Sequence, residues 1–266
     1  MLLSGAIPDQ SHVPEAVKAA RRPRPKSIGG DRLNLGLPAP QIALIETAIA
    51  SGKPVVVVII AGSAVLVEGW HDRVGAILQT FYSGGSGGTA LARLLFGDVS
   101  PSGRLPFTLA RRAEDYPAFD RDATTITYDL WHGYAKFARD GVIPRFAFGH
   151  GLSYTEFGCR AVTVRVAHDI IEVSVAVTNT GAQAGETPVF AFVSPPGGVE
   201  RWPMALKAFT RIRLARGETR VVRLSFPIAS VRWRDPATHS WRIEPGQYLV
   251  HVGTDSDTAG QASFTL

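Results

Sequence analysis

Ile170-Ile-Glu-Val-Ser-Val-Ala-Val-Thr-Asn-Thr-Gly181 decides how the carboxyl half is read. Ile171, Val173, Val175 and Val177 alternate with Glu172, Ser174, Ala176 and Thr178, the period of a strand with one face on a core and the other toward water. Asn179-Thr180-Gly181 then ends the strand in a turn. The same texture repeats on either side, over Arg160 to Ala167, Pro188 to Ser194, Ala205 to Leu214, Thr219 to Phe226, Ser240 to Ile243, Tyr248 to Thr254 and Ala262 to Leu266. Arg216-Gly217-Glu218 and Pro245-Gly246 supply turns. About seven or eight such short strands predict an all-β immunoglobulin-like sandwich, and the lack of a cysteine pair selects the fibronectin type III variety.

Upstream the texture differs. Pro14 to Arg22 reads as a short helix, and Pro40 to Ser51 as an amphipathic one with Ile42, Leu44, Ile45, Ala48 and Ile49 apolar and Gly52 as its stop. Lys53-Pro54 leads into Val55 to Ala61, an unbroken run dominated by β-branched residues that suits a strand covered on both faces. Val74 to Phe81 is a second such run, and Gly88 to Phe96 a helix ended by Gly97. This alternation predicts an α/β domain with a mostly parallel sheet and right-handed crossovers. The expected organisation is a poorly ordered or damaged segment over 1–30, an α/β domain over 31–157 and the sandwich over 158–266.

Composition narrows the function classes. With 266 residues, 45% hydrophobic and 19% charged, the chain is long enough to bury cores and too apolar to be disordered throughout. Its longest apolar run is far short of the roughly 20 residues of a membrane-spanning helix, so no membrane partner is expected. One cysteine, Cys159, excludes internal disulfides and multi-cysteine metal sites. Net charge is +5, but 23 of the 28 basic residues are arginines scattered along the chain, and the run Arg21 to Lys26 is broken by proline. No nucleic-acid partner is expected from that pattern. No signal-peptide pattern follows Met1, and the compartment is left open.

Few motifs carry chemistry by themselves. Gly85-Ser-Gly-Gly-Thr-Ala90 fits a loose dinucleotide-type glycine pattern, yet no acidic residue ends a strand about 20 positions later, so tight-turn packing is the expectation. No two of the seven histidines have H-x-x-x-H spacing, and no G-x-S-x-G elbow occurs; neither a metal nor a cofactor is expected. Asp31, Glu46, Glu68, Asp72 and Asp98 are available carboxylates, and spacing alone selects none as a sugar-cleaving pair. The aromatic stretch Tyr128, Trp131, His132, Tyr134, Phe137, Phe146, Phe148, Tyr154 and Phe157 suits either stacking on sugars or filling a seam between domains.

Several segments in order resemble glycoside hydrolase family 3, the β-glucosidase and β-xylosidase group. They include Asp31-Arg32 with Leu37-Pro38, Lys53-Pro54-Val55-Val56-Val57-Val58, Gly87-Gly88-Thr89-Ala90-Leu91-Ala92, Leu95-Phe-Gly-Asp-Val-Ser-Pro-Ser-Gly-Arg-Leu-Pro106 and Phe148-Gly-His-Gly-Leu-Ser-Tyr-Thr155. Val177-Thr-Asn-Thr-Gly181, Leu206-Lys-Ala-Phe209 and Glu244-Pro-Gly246 extend the likeness into the sandwich. The resemblance implies a retaining O-glycosyl hydrolase acting on terminal β-linked sugars. It also implies a preceding barrel domain carrying the nucleophilic aspartate, and this chain has no counterpart of that barrel.

The family's acid/base glutamate lies four residues before the arginine matched by Arg32. That position is Ile28, which can neither give nor take a proton. Upstream, Arg22-Pro-Arg-Pro-Lys-Ser-Ile28 stands where the resemblance calls for an apolar strand, and prolines cannot sit in a buried central strand. The chain alone is therefore expected to lack both catalytic carboxylates. Asp31, Arg32, Trp131 and His132 are the substrate-loop candidates. The expected partners are a carbohydrate and a separate barrel domain or polypeptide. The alternative is a non-catalytic carbohydrate-binding or scaffolding module.

Overall fold

A computed structural model describes residues 34–120, 123–256 and 260–266. Ile28, Asp31, Arg32, the helix expected over 14–22 and the basic run near the amino end lie outside the described residues.

The first helix, α1 (Ala39–Ala50), starts at Pro38 and Pro40, where a missing N–H costs nothing. Ile45 is buried, and Ile42 and Ile49 pack beside it on the inner stripe, whereas Leu44 points outward and is 70% exposed. Gly52, at φ 70°, takes the left-handed step that ends the helix. β1 (Val56–Ile59) and β2 (Ala76–Gln79) follow, paired in parallel with Val57 opposite Ile77. They share a core with Val65, Val67, Trp70 and Leu109.

One expectation needs correction in this part. The described sheet is a single pair of strands, parallel as expected, but the Val55–Ala61 run is not covered on both faces. Val56 is exposed and Ile60 is 61% exposed, because the described residues place a layer on one side only. α2 (Gly87–Leu95) follows the glycine-rich turn. A Cβ on Gly87 would sit 2.2 Å from Ser83 Oγ, so the glycine is set by tight packing. The aromatic stretch, where the sequence pattern marks no helix, contains one, α3 (Gly133–Asp140), which buries Ala135 and Phe137 and ends at Gly141 in the left-handed region.

The carboxyl half is a two-sheet antiparallel sandwich. One sheet has the order β11-β10-β5-β6 and the other β3-β4-β7, with strands β3 (Phe157–Ala167), β4 (Ile170–Asn179), β5 (Gly185–Ser194), β6 (Ala205–Leu214), β7 (Thr219–Pro227), β10 (Gln247–Gly253) and β11 (Gly260–Thr265). A small hairpin, β8 (Trp233–Asp235) with β9 (Ser240–Arg242), flanks them; β8 escaped the sequence reading. Ile171, Val173, Val175 and Val177 are wholly buried, facing Val189, Ala191, Tyr248, Val250 and Val252. Burying each such side chain stabilises by roughly 1.5–3 kcal/mol, which makes this inner face the strongest element of the fold.

Asn179 closes β4 more tightly than a simple turn residue. Its Oδ1 accepts from Thr155 Oγ1 at 2.6 Å and from the Gly181 amide at 3.1 Å, while Nδ2 donates to the carbonyls of Gln183 and Leu214. All four hydrogen-bonding positions of the buried amide are thereby satisfied. Among the described residues no helix is long and apolar enough to cross a membrane.

Candidate functional site

Trp131 and His132 lie at the start of α3, in the seam between the α/β part and the sandwich. Asp129 Oδ1 accepts from the Trp131 amide at 2.7 Å and fixes the entry to the helix. The guanidinium of Arg139 sits 4.6 Å over the Trp131 ring, and Arg139 is itself bonded to Asp140. His132, exposed, meets Trp202 of the sandwich edge-on at 5.3 Å. Trp202 Nε1 donates to the Leu130 carbonyl at 2.6 Å, so the loop before α3 is held to the β5–β6 connection.

Tyr134 continues the seam. Its ring contacts Phe148, Phe192 and Trp202 at 5.3 to 5.9 Å, and its hydroxyl accepts from the Leu206 amide at 3.0 Å. Burial pushes the Tyr134 phenol above its ordinary value, so it stays a neutral hydrogen-bonding group. Phe148 also approaches Phe190. The aromatic stretch therefore divides between layers. Tyr134 and Phe148 fill the seam; Phe137 packs on Tyr116 and Phe146 stacks on His150 within the α/β part, while Tyr128 stays exposed. A polar strut lies beside these rings: Arg104 Nη2 donates to Thr187 Oγ1 at 3.2 Å and to Ser153 Oγ, and Tyr154 Oη donates to the Leu94 carbonyl.

Two of the carboxylates that the sequence offers, Glu46 and Glu68, are committed to ion pairs. Arg73 grips both oxygens of Glu46, and Arg145 both oxygens of Glu68, holding each carboxyl below the usual carboxylate range through hydrogen bonding to the ionised form. A glycosidase acid needs the opposite shift, since it must keep its proton near neutral pH. Buried Glu244 is occupied by Arg201 and the Gly198 amide, and Asp235 is held low chiefly by Thr238 Oγ1 and the Ala237 amide. No group of histidine, cysteine and carboxylate side chains among the described residues has the arrangement of a metal site.

The open end of the parallel pair is the other place where chemistry collects in such folds. There Phe81 adopts φ 53°, unusual for a bulky side chain, and turns its ring edge onto Phe107 at 6.2 Å. Tyr82 follows, 75% exposed. Sequence reading missed Phe81 because a left-handed φ at a non-glycine residue leaves no compositional mark. It missed Trp202 for another reason: that residue acts through a partner about 70 positions away.

Comparison with known proteins places this architecture. The glycosyl hydrolase family 3 C-terminal domain matches residues 14–154, and a fibronectin type III-like domain matches residues 187–256. The chain is 34% identical over 260 residues to probable beta-glucosidase J of Aspergillus fumigatus, covering 91% of this chain and 30% of that protein. A beta-glucosidase of Bacteroides ovatus is 33% identical over 251 residues, covering 89% of this chain and 34% of its own. Among solved structures, the beta-glucosidase DesR from Streptomyces venezuelae, in complex with D-glucose, aligns with a TM-score of 0.81 at 34% identity, over 89% of this chain and 32% of that one. The chain thus spans about a third of the length of these relatives. Ordered motifs, a parallel pair joined to an antiparallel sandwich, and a matched span covering more than half the residues put this chain in glycoside hydrolase family 3, as a C-terminal domain followed by a fibronectin type III-like domain.

Proposed function

We propose that this chain is the carboxyl-terminal portion of a β-glucosidase-like hydrolase that removes terminal β-linked sugars by a retaining mechanism, and that it turns over substrate only with a barrel domain or polypeptide supplying both the nucleophile and the acid/base carboxyl. The observation that carries this reading is partial coverage: the matched beta-glucosidases continue for about twice this length again beyond the region shared with this chain. The apolar surface of the α/β part supports it. Leu44, Ile60, Tyr82 and Phe96 are each at least 60% exposed and suit cover by further polypeptide.

The roles divide accordingly. Asp31 and Arg32 would contribute a wall of the sugar site, and the sandwich would brace the α/β part through Tyr134, Trp202 and Arg104. Ile28 leaves no carboxyl at the family's acid/base position, and since a retaining glycosidase needs both carboxyls, the partner would supply the proton donor as well as the nucleophile. The non-catalytic alternative through Trp131 and His132 has weaker support, since Arg139 covers one face of Trp131 and His132 packs on Trp202.

An aryl β-glucoside assay tests the proposal, using the purified chain alone and mixed with a fragment of a family member that carries the barrel and the acid/base glutamate. Release of aryl alcohol only in the mixture is expected. Turnover in neither, with the two polypeptides shown to associate, would overturn it, and so would turnover by the chain alone.

A further inference from the structure

A groove of about 330 Å³ opens on the sandwich beside the seam, lined by Trp202, Lys207, Arg232, Trp233 and Arg234 over a floor of Arg201 and Tyr248. Its charge is one-sided. Glu200 is the single carboxylate in the lining, and its field also acts on Arg139 on the α3 side. Arg201 is used from below: Nη2 binds Glu244 at 2.5 Å and Nη1 donates to the Val231 carbonyl at 3.0 Å. Its Nε is buried and has no hydrogen-bond partner.

Lys207 reaches from β6 and donates to the Ser230 carbonyl at 2.6 Å, with no carboxylate partner among the described residues. Burial first, and the Arg201 charge second, lower its pKa, as expected of a cation held beside another without a counter-ion. Arg232 is exposed at the rim, also without a carboxylate partner among the described residues. Two indole rings together with unpaired cations are the two halves of a recognition chemistry: apolar sugar faces stack on Trp, and carboxylates accept from Lys and Arg.

From this juxtaposition we propose that the groove is a binding site for a carboxylate-bearing sugar, a hexuronic acid unit, seated against Trp202 and Trp233 with its carboxylate toward Lys207 and Arg232. This site uses only described side chains and is independent of the hydrolase reading, because no barrel residue takes part.

Titration of the full chain with glucuronate and with glucose, followed by indole N–H NMR signals and calorimetry, tests it. Glucuronate is expected to bind at least ten-fold tighter than glucose, with the preference shrinking as salt rises. Lys207→Met should weaken glucuronate ten-fold or more and leave the weak glucose binding unchanged. Arg232→Gln, at the exposed rim and without structural partners to lose, provides the same reading at a few-fold should Lys207→Met fail to fold. Equal affinity for the two sugars, no saturable glucuronate binding, or glucuronate binding untouched by either folded variant would overturn the proposal.

Discussion

The two halves of this chain solve burial differently. In the sandwich, two sheets face each other, so every inward valine of β4 meets a partner from β5 or β10 and disappears from solvent. The α/β part has one helix against a parallel pair, and its apolar side chains are only half covered: Ile45 is buried while Leu44, its neighbour, is not. An all-β sandwich is closed by its own two layers, whereas a parallel sheet needs a layer on each face. The first half therefore leaves side chains of its core elements uncovered, whereas those the sandwich exposes, such as Phe209 and Val221, lie on its outer faces.

The largest test of this contrast is a matched pair of substitutions. Val175→Asp places an unpaired carboxylate in the closed inner face and is expected to cost roughly 5 kcal/mol or more, comparable with the whole stability of a domain of this size. Val56→Asp makes the same chemical change at an exposed strand position and should cost about 1 kcal/mol or less. Thermal unfolding followed by circular dichroism reads both. Similar losses in the two variants would mean that the α/β part is as tightly closed as the sandwich.

Next in size is Asn179→Ala. It removes four hydrogen bonds at the joint where β4, the β6–β7 connection and the Thr155 turn meet, leaving the Thr155 hydroxyl and the Leu214 carbonyl to find new partners. A loss of about 3 kcal/mol is expected, since each buried group left unpaired costs roughly 1–3 kcal/mol and some relaxation follows. Urea denaturation measures it; a loss below about 1 kcal/mol would assign Asn179 an ordinary turn role.

Tyr134→Phe probes the seam with less force. It deletes the acceptor for the Leu206 amide but keeps the ring among Phe148, Phe192 and Trp202. About 1 kcal/mol is expected, and amide hydrogen exchange at Leu206 should quicken while that of Val175 does not. Equal acceleration at both amides would mean that the seam and the sandwich core open as one unit.

What the sequence made legible follows the same division. The alternation of Ile171 to Val177 predicts inward and outward faces correctly because a half-buried strand repeats every two residues. Only at the strand end does it slip: Thr178, expected to face outward, is buried and shares a hydrogen bond with Thr219. The continuous run Val55 to Ala61 predicts a strand but not its surroundings, since an apolar run reports what a strand needs and not what is present to cover it. α3 was hidden by its composition, for Gly133-Tyr-Ala-Lys-Phe-Ala-Arg-Asp140 is too short for a helical period to stand out from loop residues. Of the site candidates, Trp131 and His132 are brought together with Trp202 and Arg139 by packing between distant segments, which no local pattern encodes.

The smallest expected effect is at the end of α3. A carboxylate at a helix C-terminus opposes the helix dipole, yet Asp140 accepts from Arg139 Nε at 2.6 Å and from Lys136 Nζ at 2.5 Å. Those two hydrogen bonds, Arg139 first, hold its pKa at about 2 against an ordinary 3.8. Because the folded value is the lower one, the ionised carboxylate favours the native state above the ordinary value, and that contribution fades as pH falls through about 2. Carboxyl NMR titration should therefore give Asp140 a midpoint near 2, moving up toward 3.8 in Arg139→Gln. The same variant removes the guanidinium over Trp131, so indole fluorescence should change along with the titration. A midpoint that moves without any change in fluorescence would separate the helix end from the seam, and place Arg139 with the charge network alone.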